Sequence, residues 1–430
     1  MSLQLAVILV PVVFGMMGFA LDLGRLYLVR GELNQAAAAA AIAAAGQLIG
    51  TTTSLDRAGA IATQTLALNK YNFGSLTLGQ DTGNLTSTVA DPAYFATVAG
   101  ALGTDPNSAS ADGSTARHVQ ISVTADAPLL FWGLLSAGAS RKTPVAVTVL
   151  AGVSAPLCTA CGIEPFAIAA RDVSDVVNFG FGAPADDAHY TFYYNCTGAV
   201  PPFLPNSGLY APYTIINRYD AASTTVSDES DQLFRLGAAG LMSSTTPNPT
   251  GSPIPLGCAG IGDAQEAVWS SPSFSAVPPG CASALPPVAA ALLCGLFSRV
   301  DNATLPAACT TAVTDYSALA AAAPIDTDPG VTQDLYSAYS GNGRRVITVP
   351  VVDVLAPISA APMVVLGFRQ FLLQPNADGT PFNPSDPNGR FVATYIGSPM
   401  PVKQGYIDDR FARSCPAPVT SGPGKVVLHR

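Results

Sequence analysis

Three kinds of side chain in this 430-residue chain could do chemistry: cysteines, histidines beside carboxylates, and clusters of hard oxygen donors. The eight cysteines are Cys158, Cys161, Cys196, Cys258, Cys281, Cys294, Cys309 and Cys415. Cys158 and Cys161, spaced as C-x-x-C, could form half of a zinc site or a redox pair. Zinc would need a second close pair of ligands, and only the isolated His189 and Cys196 lie near in sequence. An even number of cysteines in a Lys-poor, Pro/Gly/Ser/Thr-rich region instead reads as disulfides made in an oxidising compartment, with the pairing left open.

His189 with Asp186 and Asp187 is the best acid/base candidate, although a solvated turn ahead of the strand YTFYYNC explains the same residues. For calcium, Asp326, Asp328 and Asp334 surround Gly330, while Asn376, Asp378 and Asp386 surround Gly379. Both are weak candidates, because neither run completes a calcium loop with a bidentate Glu and such clusters commonly mark turns. Motifs for a nucleophile elbow, a zinc helix or a phosphate loop do not occur. The expectation is therefore a protein without catalysis, cofactor or resident metal.

These residues need elements to position them, and the composition constrains which. With 49% hydrophobic and 11% charged residues, 39 Gly and 36 Pro, the chain suits a loop-rich, strand-containing globular protein. A net charge of -9 with scattered basic residues excludes a nucleic-acid binder. Leu3 to Leu21 carries no charge and as a helix would span roughly 28 Å, enough for a bilayer core. A retained anchor is preferred over a signal peptide or a buried soluble helix, since the apolar run is long and lacks a basic lead. Arg25 and Arg30 follow the segment, where the positive-inside tendency would place the body in the cytoplasm, opposite to what the cysteines require. A basic segment upstream of Met1 would resolve this conflict.

Beyond Leu21, Asp22 and Arg25 stand one turn apart and can pair, Tyr27 suits the membrane interface, and Ala36 to Ala45 can extend the helix as a closely packing stalk. Ser54 is a candidate N-cap for a second helix packing on the first. Strands are predicted over 118–125 and 143–153, separated by the apolar stretch Leu129 to Leu135, whose Trp132 reads as core in preference to membrane contact. Short helices are predicted near 286–298 and 311–322. Beta-rich runs from 344 onward read as an antiparallel sheet, with a last strand at the C-terminus.

The apolar helix followed by Asp22, Gly24, Arg25 and Tyr27, then Asn34 and the alanines, resembles the TadE/TadG-like proteins of tight-adherence, Flp-type pilus assembly. The resemblance covers about the first 70 residues. It implies a pilin-like protein anchored in the bacterial inner membrane, with its body in the periplasm or outside the cell. Its implied partners are other pilus-assembly or pilin-like subunits, met through the N-terminal helix. The Asp-x-Ser-x-Ser metal-adhesion motif of larger members is absent, since the runs at 172–176 and 315–319 both lack the last Ser.

The expected fold class is α+β: a transmembrane helix extended as a stalk, then a β-rich extracytoplasmic head with disulfides. The expected divisions are 1–50 for the anchor and Ala-rich extension, 51–155 for a second helix and small α+β unit, and 156–430 for the cysteine-containing domain. A periplasmic hydrolase and a non-pilus envelope protein are the alternative functional readings.

Overall fold

In a computed structural model of the chain, the described residues are 2–68, 88–89, 92–103, 112–129, 131, 142–194, 209–216, 245–247, 253–255, 258–262, 264–265, 287–300, 309, 328, 335–355, 363–375, 383, 386, 388–402, 404–406 and 421–429. They fall into two compact units, Met1–Val153 with Val426–Arg430, and Ser154–Lys425.

The first unit is led by helix α1, Ser2–Ala45, which runs through Pro11 without a break. A second helix, α2, covers Ser54–Leu68 and buries Ser54, Ala58, Ala62 and Leu66, a spacing of one residue per turn. The sheet beside them contains Thr88–Val89 (β1), Ala93–Phe95 (β2), His118–Pro128 (β3), Lys142–Val153 (β4) and the C-terminal strand Val426–His429, numbered β17 in chain order. β3 and β4 form an uninterrupted antiparallel ladder from His118 opposite Gly152 to Pro128 opposite Lys142. Period-2 alternation sends Val119, Ile121, Val123, Ala125 and Ala127 of β3 into the core shared with α1 and α2. Short helix α3, Val98–Leu102, is capped by Thr97, whose hydroxyl oxygen accepts the Gly100 N–H at 3.1 Å.

Ser54 opens α2 but does not cap it in the expected way: its hydroxyl donates to the carbonyls of Thr51 (2.7 Å) and Gly113 (3.0 Å). Gly113 is needed there, since a Cβ would lie 2.8 Å from that hydroxyl and still closer to the Thr51 carbonyl.

The second unit contains Thr159–Cys161 (β5), Phe166–Ala169 (β6), His189–Tyr194 (β7), Leu209–Ile215 (β8), Thr245–Pro247 (β9), Pro253–Pro255 (β10), Cys258–Gly260 (β11), Ala264–Gln265 (β12), Val346–Val352 (β13), Met363–Gln374 (β14), Phe391–Gly397 (β15) and Gln404–Tyr406 (β16). The order β14-β13-β6-β8-β7-β15 returns to β14 through a β14–β15 ladder, closing a six-stranded barrel. β13–β6 and β7–β8 pair in parallel and the other four ladders are antiparallel. The expected antiparallel sheet is thus a mixed, closed one, which leaves these six strands no free edge. Its interior is aromatic: Phe192 stacks on Phe391 at 4.7 Å, and Phe371 meets Phe192 edge-on at 5.1 Å.

Helix Pro287–Val300 adds Ala289, Leu292, Leu293, Leu296 and Phe297 to the same core and is tied to Cys309 by a disulfide from Cys294. Its Arg299 forms a buried ion pair with Glu164 at 2.7 Å. Arg369 of β14 lies over the Phe179 ring at 4.3 Å and donates to the carbonyls of Val176 and Val177. It thereby fixes the turn that runs through Asp172, Ser174 and Asp175. Here Asp172 accepts the Ser174 amide and hydroxyl, and Asp175 accepts the amides of Val177, Asn178 and Gly180.

Candidate functional site

The residues of greatest functional interest lie along α1, which has two different halves. Val7, Leu9, Val10, Val12, Val13, Phe14, Met16, Met17, Phe19 and Leu21 are all exposed large apolar side chains. Val29, Leu33, Ala36, Ala37, Ala40, Ala41, Ala44 and Ala45 are instead buried, recurring every three to four residues on one face. That face is covered by α2 and by the β3–β4 sheet. The alanines therefore do not continue as a free stalk. They are the helix side of a core, and their small size lets a sheet and a second helix approach the α1 backbone closely.

Between the halves lie Asp22, Gly24, Arg25 and Tyr27. Asp22 is only 5% exposed, and its carboxylate oxygens accept the Phe131 N–H at 3.1 and 3.2 Å. One turn earlier, a Cβ built on Gly18 would overlap the Phe131 ring, so the absence of a side chain at 18 is what seats that ring. The expected Asp22–Arg25 pair does not form. The carboxylate is turned to the segment after β3, and both terminal guanidinium nitrogens of Arg25 are buried without a hydrogen-bond partner among the described residues. Tyr27 is 69% exposed, and Gly24 has open space where its Cβ would be, so nothing in the structure explains a glycine there. Trp132, Leu130 and Leu134 lie outside the described residues.

A second cluster in this unit is legible only in three dimensions. His118 opens β3 opposite Gly152, where a Cβ would overlap the imidazole, and its ring meets that of His429 on β17 at 5.1 Å. Burial, then the neighbouring His429 and Arg117, hold His118 down to about 4. Burial also lowers His429. The division expected from sequence, 156–430, puts the C-terminal strand in the cysteine-containing domain. It pairs with β4 instead, through Val426 opposite Val153 to His429 opposite Leu150.

The remaining chemistry-bearing residues disperse. His189 is exposed at the start of β7, and Asp186 accepts the Ala183 N–H at 3.0 Å while Asp187 takes a positive φ of 47°. Of the first calcium candidate, Asp326 and Asp334 lie outside the described residues. Asp328 is buried, accepts the Tyr339 hydroxyl and faces the Arg345 Nε at 3.7 Å. Of the second, Asn376 and Asp378 lie outside the described residues, and Asp386 receives the Asn388 N–H at 2.8 Å and the Arg390 guanidinium at 2.6 Å. Each described carboxylate faces an arginine, and no cluster of three or more metal-binding side chains occurs among the described residues.

Cys158 and Cys161 each take part in a disulfide, so C-x-x-C is neither zinc half-site nor free dithiol here, and no described cysteine is free. Cys294 and Cys309 form a disulfide with Cα atoms 5.5 Å apart. Cys196, Cys281 and Cys415 lie outside the described residues, as does the side chain of Cys258.

These features define an α+β protein whose N-terminal helix is long and apolar enough to cross a membrane, followed in sequence by a unit with a closed barrel and a disulfide. Residues 3–47 match a family model described as "Putative Flp pilus-assembly TadE/G-like", so the chain carries a TadE/G-like N-terminal region. No curated protein and no solved structure matches the chain. The matched residues coincide with α1, from its exposed apolar half to the end of its buried alanine face.

Proposed function

We propose that this protein is a membrane-anchored, pilin-like component of tight-adherence pilus assembly, held by α1 in the bacterial inner membrane in a single pass, with its body outside the cytoplasm. The family match over residues 3–47 carries this reading. The exposed apolar half of α1 supports the anchor, because a continuous surface of this size is unfavourable in water and favourable in lipid. The Cys294–Cys309 disulfide supports an oxidising compartment for the body.

The role is one of packing and display, with no reaction assigned to the chain. The best acid/base candidate supports that reading, since His189 is solvent-exposed and Asp186 is engaged by its own turn. Partners are other pilus-assembly subunits, met through the exposed side of α1. Placing a photoreactive amino acid at Met17, which is 55% exposed, tests this in fibre-producing cells. Adducts to other pilus-assembly proteins are expected; adducts to lipid alone would oppose the reading.

A further inference from the structure

We propose that β17 is an acid-released strand: protonation of the His118–His429 pair frees the C-terminal strand from β4 while the rest of the first unit stays folded. The chain leaves this unit after Val153 and returns to it at Val426, so β17 is the return passage.

The geometry is that of a clasp across one strand. β17 stands at the end of the order β1-β3-β4-β17, and its ladder with β4 has four residue pairs, against eleven between β3 and β4. His118 belongs to β3, two strands away from β17. Its ring crosses β4 over Gly152, where any side chain would collide with its Nδ1, and meets the His429 ring edge-on at 5.1 Å. Strand alternation places this pair on the face of the sheet opposite to the one that packs on α1 and α2.

Nothing at the clasp accepts a proton's charge. His118 is 6% exposed, and both its Nδ1 and the Nε2 of His429 are buried without a hydrogen-bond partner. The residues facing His118 are Phe95 on β2, Gly152 on β4 and His429 on β17, and the neighbouring short helix α3 carries no charged residue. The charged group that acts on His118 is Arg117, a cation, and no carboxylate acts on either ring. An imidazolium here would be buried, unpartnered and repelled. In solvent the same ring takes a proton at its ordinary value of 6.5, whereas in place it is held down to about 4. Protons therefore bind the open form more tightly, and opening becomes more favourable as pH falls from 6.5 toward 4. The strand is the part that yields, because it is short, paired on one edge, and leaves Leu428 42% exposed.

Hydrogen exchange in the unmodified full chain in detergent, corrected for the intrinsic pH dependence of amide exchange, tests this. Protection of residues 426–429 should fall at least about tenfold between pH 7.5 and 5, and at pH 5 should lie below that of residues 119–127 in β3. Protection of β17 that does not change with pH would overturn the proposal. So would equal protection of β17 and β3 at both pH values, which means that the unit opens only as a whole. His118→Phe keeps an aromatic ring over Gly152 but takes no proton, and it should lose most of the fall; a full fall in this variant would also overturn the proposal. The two comparisons within the unmodified chain decide the matter even if His118→Phe does not fold.

Discussion

The Phe131 backbone N–H donates to the carboxylate of Asp22 across 109 residues of sequence, at 3.1 and 3.2 Å to the two oxygens. The acidic residue of the helix motif is therefore a fastening point between α1 and the segment after β3. Asp22→Ala should destabilise the first unit by about 1–3 kcal/mol, because it leaves a part-buried amide without its acceptor. Asp22→Asn, which keeps an oxygen acceptor, should cost less. Thermal unfolding of the detergent-solubilised chain checks the order; an Asp22→Ala variant that melts with the parent would refute the fastening role.

The alanine face makes a second prediction. Ala40 is fully buried against the sheet and α2, whereas Ala39 beside it in sequence is exposed. Ala40→Leu should cost about 1–3 kcal/mol or more through overpacking, and Ala39→Leu should stay within about 0.5 kcal/mol of the parent. Chemical denaturation of both variants measures the difference. Equal and small effects would return the alanines to the role of an uncovered stalk.

Much of this architecture was legible because simple periods survive in the sequence. The period-2 alternation of β3 and the helical spacing of Leu292, Leu296 and Phe297 both identify elements that the structure contains. The alanines were legible as a packing surface but not as an internal one, since small residues fit a fibre neighbour and the chain's own sheet equally well. β8 was missed because Pro212 interrupts it. In the structure Pro212 lies where β8 pairs only with β7, before its ladder with β6 begins at Tyr213, so one side can lack an amide donor. The Asp22–Arg25 pair failed for a related reason: helical spacing shows which side chains can meet, but not that a distant backbone amide will claim one of them.

His118 should make the first unit sensitive to acid. Burial, His429 and Arg117 hold its folded-state pKa at about 4, below the ordinary value of 6.5. Between these values the unfolded chain binds more protons than the folded one, so stability falls as pH drops from 6.5 toward 4 and levels off below that. The loss attributable to His118 should be of order 1–2 kcal/mol after allowance for solvent screening. Melting temperature against pH should be flatter in His118→Phe; an unchanged slope would assign the acid sensitivity elsewhere.

In the barrel unit, Glu164 and Arg299 are almost wholly buried and joined at 2.7 Å. Burial raises the Glu164 pKa, and the Arg299 guanidinium offsets that shift. Arg299→Met alone should cost about 3–5 kcal/mol by stranding a carboxylate, and adding Glu164→Leu should recover most of the loss. A double-mutant cycle in urea measures this coupling. Additive losses would show that the two charges act independently.

The assembly role is tested most directly by the amount of surface fibre sheared from cells of the encoding organism. Removing the gene should abolish the fibres, and the full chain should restore them. A chain whose residues 3–21 are replaced by a cleavable secretion signal, which exports the body without its anchor, should not. Undiminished fibre in the deletion strain would contradict the account.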